Sequence, residues 1–555
     1  MDRIKILTDV FKHHGISDII FSPGSRNAPL IIGFSSNSFF NTKTIIDERS
    51  AAFVALGMAQ QSKKPVAICS TSGSATLNYA PAICEAYYQN IPLIILTADR
   101  PPEWINKGEG QSIVQTDIYK NYIQASFQFP VDDNENALIV SEKISNEAIN
   151  ISKHSQRPVH INLPFREPLY NTSINNNIIG NKIEFIKTDS TLDDSISDTI
   201  VEKWNSCSKR MILCGLLEKD EELNKIISEL NNDDNVVILT ESISNLKDDY
   251  FISNIDRTIE RILDVNNFIP DVLITIGGAI ISKKIKALFR EKQPKEHWHI
   301  TEIKETALDV FSCLNKVVED NPKNFFVSLM KQRDGHKLST KFYNIWQDEF
   351  NMSNLNHYKF LKTCLWSDLK AHEIINDKLK SNVNLQIGNS TSIRYNQLFK
   401  NKSNIIYNCN RGVSGIDGST STSVGAAYIN SEMQTILITG DLSFVYDINA
   451  LWNKDLPNNL KIIIVNNDGG GIFRIIPGPF STPFGKENFE TENSADIASL
   501  AKAHSIYYLK ADNIEKTKEK LDVLFDYNNI AILELDTSKV DNAEILKNYF
   551  KFITR

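Results

Sequence analysis

Two short apolar runs, Thr435-Ile-Leu-Ile-Thr-Gly-Asp441-Leu-Ser443 and Lys461-Ile-Ile-Ile-Val-Asn466-Asn467-Asp468-Gly469, decide how this chain is read. The first predicts a strand that runs into a turn bearing a carboxylate. The second predicts a strand that ends in amides and glycines. Asp441 and Asn467 stand 26 positions apart, room for a helix and a return strand. Strand, helix and strand at that spacing predict a parallel sheet covered by helices.

The same alternation extends along the whole chain. The third segment has candidate strands at 385–387, 405–407, 435–438, 461–465 and 531–534. A first segment has them at 18–21, 44–46, 66–69, 93–96 and 159–162, with helices expected over 49–61 and 75–89. A second has them at 211–214, 236–239, 272–276 and 298–300. Residues 171–200, rich in Asn, Ser, Asp and Thr, read as a surface linker, and 331–357 as a polar connection. The expected fold is therefore α/β, with three doubly wound parallel-sheet domains at 1–175, 185–345 and 355–555. Ligands in such sheets gather beyond the carboxyl ends of strands, which directs attention to 22–27, 70–74, 99–100, 388–390, 440–443 and 466–471.

Bulk properties narrow the class. A length of 555 residues suits about three domains, and 41% hydrophobic content is enough for several cores. With 60 Lys and Arg against 68 Asp and Glu, the net charge of −8 argues against general binding to nucleic acid or anionic membranes. It leaves room for a local basic pocket. Seven cysteines without a C-x-x-C pair read as reduced, mostly buried thiols of a cytoplasmic protein. No signal peptide is evident, and no apolar run approaches the roughly 20 residues of a membrane span.

A hard divalent cation on a diphosphate needs a few oxygen ligands in near-octahedral geometry. One carboxylate, one amide oxygen and one backbone carbonyl suit it, and Gly469 and Gly470 let the backbone approach closely. Taken singly, Asp441 reads as a helix cap and 466–469 as a turn. The ordered pair favours the cation. It resembles the Gly-Asp-Gly…Asn-Asn signature of thiamine diphosphate enzymes, departing at Leu442, where glycine is common. Such enzymes need a carboxylate that holds the cofactor's aminopyrimidine in its imino tautomer. Glu48, opening the expected helix 49–61, is the candidate. By itself it reads as a first-turn acid at a helix N-terminus.

Further runs carry a closer resemblance: Ser22-Pro-Gly-Ser-Arg-Asn-Ala-Pro-Leu30, Asp47-Glu-Arg-Ser-Ala-Ala-Phe53, Thr71-Ser-Gly-Ser-Ala-Thr76, Thr97-Ala-Asp-Arg-Pro-Pro-Glu103 and Gly108-Glu-Gly-Gln-Ser112. Later come Ile276-Gly-Gly-Ala-Ile-Ile-Ser-Lys-Lys284, Gly388-Asn-Ser390, Asn410-Arg-Gly-Val-Ser-Gly-Ile-Asp-Gly418 and Gly440-Asp-Leu-Ser443. Together they resemble the 2-succinyl-5-enolpyruvyl-6-hydroxy-3-cyclohexene-1-carboxylate synthases of menaquinone biosynthesis. The likeness spans the first and third segments well and is weaker in the middle.

The resemblance implies pyrimidine-binding, central and diphosphate-binding domains. It implies thiamine diphosphate with Mg2+ or Mn2+, bound between the first domain of one subunit and the third of its partner, hence a homodimer or dimer of dimers. The implied reaction decarboxylates 2-oxoglutarate and adds the succinyl carbanion to isochorismate. The resemblance assigns Ser390, Arg394 and Arg411 to 2-oxoglutarate, and Ser25, Arg26, Arg100 and Lys283 to isochorismate. Lys284 stands where the family often has arginine. Gln111 is placed near the cofactor, Asp441, Asn467 and Gly469 on the cation, and Leu442 and Ser443 in the cofactor segment. Ile416 is implied to bend the cofactor, with Ile472 and Phe473 as an apolar wall. The alternatives are another thiamine diphosphate carboligase or decarboxylase, such as an acetolactate-synthase-like enzyme, and a catalytically silent binding protein.

Overall fold

The computed structural model describes residues 1–172, 177–185, 198–231, 236–302, 308–333, 341–476 and 478–555. Three parallel sheets succeed one another along the chain, interleaved with helices. The first holds β1 (Asp18–Phe21), β2 (Asn41–Thr44), β3 (Val66–Ser70), β4 (Leu93–Asp99), β5 (Ala125–Gln128) and β6 (Val159–Pro164), in the order β2-β1-β3-β4-β6-β5. The second holds β7 (Arg210–Cys214), β8 (Val236–Thr240), β9 (Val272–Ile276), β10 (Glu296–Thr301) and β11 (Lys316–Glu319), in the order β11-β10-β9-β7-β8. The third holds β12 (Val383–Ile387), β13 (Ile405–Asn408), β14 (Gln434–Gly440), β15 (Leu460–Asn466), β16 (Tyr507–Ala511) and β17 (Ala531–Asp536), in the order β13-β12-β14-β15-β17-β16. The first and third sheets thus share one topology.

The interior strands are buried along nearly their whole length and are mostly apolar, because both faces of each sheet are covered. In β15, Ile462 and Ile464 enter a core shared between the first and third sheets, while Ile463 and Val465 enter a core on the opposite face. In the middle sheet Ile212 and Cys214 face one core, and Met211 and Leu213 the other.

The first and third sheets are joined through two helices, Glu48–Ser62 and Ser419–Ile429, that meet backbone to backbone. A Cβ on Gly57 would stand 2.0 Å from the carbonyl oxygen of Thr422, and one on Gly425 would stand 2.0 Å from that of Val54. Glycine is required at both positions for this approach. Ala51, Ala52, Val54, Ala55, Leu56 and Ala59 of the first helix are buried, as its apolar pattern predicts.

Several local expectations are corrected. The strand expected at 44–46 lies at Asn41–Thr44, paired with Asp18–Phe21. It is a sheet edge, and Asp47 accepts a hydrogen bond from the Ser50 N–H at 3.0 Å, which turns the chain into the helix. The helix expected over 75–89 is two, Ser74–Asn78 and Ala80–Gln89, because Pro81 supplies no N–H and restarts the helix. The polar connection at 331–357 contains the start of a long helix, Phe342–Thr363, whose Phe342, Trp346, Phe350, His357 and Leu361 are buried. Within that stretch 334–340 lie outside the described residues. So do 173–176 and 186–197 of the expected linker. Its segment 177–185 packs on the first domain: the Gly180 N–H donates to Asp9 at 3.2 Å and the Ile183 N–H to Asn146 at 2.7 Å. Among the described residues no helix is long and apolar enough to cross a membrane. All seven cysteines are free thiols.

Candidate active site

Strand order reverses between β1 and β3 in the first sheet and between β12 and β14 in the third. These are the switch points at which open parallel sheets bind ligands. The loops after those four strands, 22–27, 71–73, 388–390 and the turn at Gly440, carry much of the chemistry.

On the first sheet, Asn27 shapes the loop after β1. Its side chain accepts from the Gly24 N–H and donates to the Ser22 carbonyl, both at 2.9 Å. Gly24 lets this loop press on the next, since a Cβ would stand 2.4 Å from Thr71. Ser25 is exposed, while Arg26 is buried, donating to the Phe165 carbonyl at 2.9 Å and pairing with Glu167 at 3.2 Å. Arg100 donates to the Gly110 carbonyl at 2.6 Å and leaves its buried Nε unpaired. Both guanidiniums approach Trp104, each 6.0 Å from the ring centroid. Burial and then the Arg100 charge lower the pKa of Arg26. Guanidinium groups have the planar geometry that suits carboxylates. Gln111 follows Gly110, with φ of 54° and its carbonyl accepting from the Ser72 hydroxyl at 2.9 Å.

A second cationic cluster forms where the middle sheet meets the third. Arg411 donates to Asn389 at 3.0 Å, and the Nε atoms of Arg394 and Arg411 are buried without partners. Burial lowers the pKa of Lys283, and Arg394 and Arg411 lower it further. Within one chain Lys283 therefore belongs with Arg394 and Arg411 rather than with Arg26 and Arg100. Lys284 turns elsewhere, to Glu260 and to a position 3.7 Å from the Phe550 ring centroid. Ser390, preceding the helix that bears Arg394, has φ of 70° and ψ of −124°. A non-glycine residue there stores about 1–3 kcal/mol of strain, which tends to collect at functional sites.

The third group follows β14 and β15. Asp441 is 1% exposed. Burial pushes its carboxyl up to about 7, against the opposing pull of bonds from Asn493 at 3.1 Å and the Gly469 N–H at 3.0 Å. Asn467 is fixed through its amide nitrogen, which donates to Asp368 at 2.8 Å. Gly469 has φ of +127°, and a Cβ there would stand 2.4 Å from the Thr491 carbonyl oxygen. Ser443 donates to the Ile416 carbonyl at 2.8 Å, tying the segment after β14 to the 410–418 loop. Leu442, Ile472 and Phe473 are half-buried, and Ile416 is exposed. Among the described residues no three His, Cys, Asp or Glu side chains cluster as a metal site.

Glu48 has a partner of its own, outside these residues. Its carboxylate accepts from the Asn78 amide nitrogen at 3.2 Å. Among the described residues no hydrogen bond joins it to Asp441, Asn467 or Gly469.

Residues 1–122 match the family described as thiamine pyrophosphate enzyme, N-terminal TPP binding domain, and 386–535 its C-terminal TPP binding domain. Full-length relatives carry the name 2-succinyl-5-enolpyruvyl-6-hydroxy-3-cyclohexene-1-carboxylate synthase. That of Flavobacterium psychrophilum is 44% identical over 99% of this chain and 98% of its own. That of Flavobacterium johnsoniae is 41% identical over 99% and 98%, and that of Porphyromonas gingivalis 36% over 99% and 97%. The chain belongs to the 2-succinyl-5-enolpyruvyl-6-hydroxy-3-cyclohexene-1-carboxylate synthase family.

Beside the residues assigned from the motifs of this synthase family, the fold brings in three more. Asp368 holds Asn467, and Asn493 holds Asp441. Asn389 donates to the carbonyls of Asn410 and Gly415 at 2.6 and 2.7 Å while accepting from Arg411. Asn389 lay inside the matched Gly388-Asn-Ser390 run. Asp368 and Asn493 offered no signal, because what they hold is distant in sequence.

Proposed function

We infer that this protein is a thiamine diphosphate-dependent synthase of menaquinone biosynthesis. It decarboxylates 2-oxoglutarate and joins the remaining succinyl unit to isochorismate, releasing 2-succinyl-5-enolpyruvyl-6-hydroxy-3-cyclohexene-1-carboxylate and carbon dioxide. Kinship with synthases of that name over 99% of the chain carries the reading.

The residues present fit the cofactor. One buried carboxylate (Asp441), one amide oxygen (Asn467) and the Gly469 carbonyl make a donor set suited to Mg2+ or Mn2+ on a diphosphate. A single carboxylate limits repulsion with that anion. Thiamine diphosphate, when bound, supplies the electron sink that lets a 2-oxo acid lose carbon dioxide.

The chain's own side chains bind, orient and exclude water. Arg394 and Arg411, with unpaired buried Nε atoms, would clamp the carboxylates of 2-oxoglutarate beside Ser390. Arg26, Arg100 and Ser25 of one subunit, with Lys283 of the partner subunit in the proposed dimer, would hold isochorismate and stabilise charge developing on its carboxylate. Glu48 would hydrogen-bond the pyrimidine ring, with Gln111 near the bound intermediate. Ile416, Ile472 and Phe473, beside the Leu442–Ser443 turn, would wall off water.

The proposed assembly is a homodimer or a dimer of dimers. Two observations support it: Glu48 and Asp441 have separate partners within one chain, and Ile416, Phe480, Phe484 and Phe489 expose apolar surface. Seven free thiols suit a cytoplasmic protein.

Mass analysis of products tests the function. With 2-oxoglutarate, isochorismate, thiamine diphosphate and Mg2+, the full chain is expected to form the adduct, and omission of the cofactor to prevent it. No adduct from the fully loaded protein overturns the reading.

A further inference from the structure

Asp368 opens the helix Asp368–Lys378, far in sequence from the cation segment and 2% exposed. Its two oxygens are both occupied. Oδ1 accepts from the Thr537 hydroxyl at 2.6 Å, and Oδ2 accepts from the Asn467 amide nitrogen at 2.8 Å. Its backbone N–H donates to Asn542 at 2.8 Å, and Asn542 in turn donates to the Thr537 carbonyl at 3.1 Å. The Thr537 N–H donates to the Asn466 carbonyl at 2.8 Å, immediately before Asn467. Asp368 is thus held by three residues, Thr537, Asn467 and Asn542.

A carboxamide has a donating end and an accepting end of nearly the same shape. Only the accepting end can bind a cation, and a half-turn about the side chain exchanges the two. A carboxylate accepts and does not donate, so it can receive only the NH2 end of Asn467. The oxygen end then points away from Asp368, and among the described hydrogen bonds none ends on it.

We propose that Asp368 is a positioning residue that locks the Asn467 amide with its oxygen presented to the divalent cation. The inference rests on the reading of Asn467 as a metal ligand. Partners behind a ligand fix its orientation, and their loss typically weakens metal binding about 10–100-fold. Asp368→Asn keeps the shape of the side chain but permits either amide orientation at position 467.

The test is Mn2+ binding to the full chain with thiamine diphosphate present, followed by the electron paramagnetic resonance of free Mn2+. Asp368→Asn is expected to weaken Mn2+ binding about tenfold or more, as is Asn467→Ala. The exchanged pair, Asp368→Asn with Asn467→Asp, reverses the hydrogen bond and presents a carboxylate oxygen whichever way it turns. It is expected to bind Mn2+ at least as tightly as the parent protein. Parent-like binding by Asp368→Asn, with weak binding by Asn467→Ala, overturns the positioning role and leaves the ligand reading intact. Parent-like binding by Asn467→Ala overturns the ligand reading itself. Should Asp368→Asn fail to fold, the exchanged pair decides: a folded protein that binds Mn2+ supports the role, and a folded protein that does not overturns it.

Discussion

The carboxylate of Glu85 lies 2.6 Å from the backbone nitrogen of Gly412, although 327 positions separate them. Its other oxygen accepts from the Val413 N–H at 2.7 Å. Glu85 belongs to the helix Ala80–Gln89 of the first domain, and the loop it grips carries Arg411 and Ile416 of the third. Burial raises the Glu85 carboxyl, and the bonds from Val413 and Gly412 pull it back. Gly412 cannot be larger, since a Cβ would stand 2.6 Å from the Glu85 carbonyl oxygen.

Glu85→Gln places an NH2 group against one of those N–H donors. A lost hydrogen bond to a charged group costs about 1.5–3 kcal/mol. The loop loosens, and KM for 2-oxoglutarate is expected to rise roughly tenfold with a smaller change in kcat. Steady-state kinetics at saturating isochorismate would check it. A lower melting temperature with KM unchanged would make the contact purely structural.

Glu48→Gln leaves the fold almost untouched, because the neutral amide can still accept from Asn78. Turnover is expected to fall by roughly 10²–10⁴-fold, the usual scale for a group that manages a proton. Circular dichroism and turnover on the same preparation would separate the two effects. Near-normal activity would remove Glu48 from the mechanism.

Gly57→Ala ordinarily favours a helix by about 1 kcal/mol. Here the added Cβ meets the Thr422 carbonyl oxygen at 2.0 Å, so overpacking of about 3 kcal/mol or more reverses the sign. Denaturant melts of Gly57→Ala and Gly110→Ala would check it. The second position is open within 4 Å and should change little.

His160 gives a pH dependence with a definite sign. Burial holds its folded pKa down to about 3, against 6.5 for the free side chain. Below pH 6.5 the unfolded chain takes up a proton that the folded chain refuses. Its contribution to stability is complete above 6.5 and is lost at about 1.4 kcal/mol per pH unit as pH falls. The stability gap between the parent protein and His160→Gln should shrink accordingly between pH 7 and 5. A constant gap would mean that His160 takes up its proton in the folded protein.

The interior strands were legible because burial on both faces leaves a run of apolar residues, as at 462–465. The sheet edges were not. Ala125–Gln128, Lys316–Glu319 and Tyr507–Ala511 each lie at an edge and mix exposed with covered positions, so their sequences resemble loops. The helix Phe342–Thr363 could have been found from the spacing of Phe342, Trp346, Phe350, His357 and Leu361, hidden in polar company. Site residues that sit side by side in one loop, such as Ser25 and Arg26, stood out as motifs. Glu85 and Asp368 did not, because the groups they hold lie 327 and 99 positions away.

Helices that touch backbone to backbone have no layer of side chains along which to slide. The crossing of Gly57 with Gly425 should therefore behave as a fixed axle, and amide protons around 54–58 and 422–426 should be among the last to exchange with deuterated solvent. Glu48 sits at the head of one of these helices, and the Ile416 loop leads into the other. Whatever moves during a catalytic cycle, those two mountings should not.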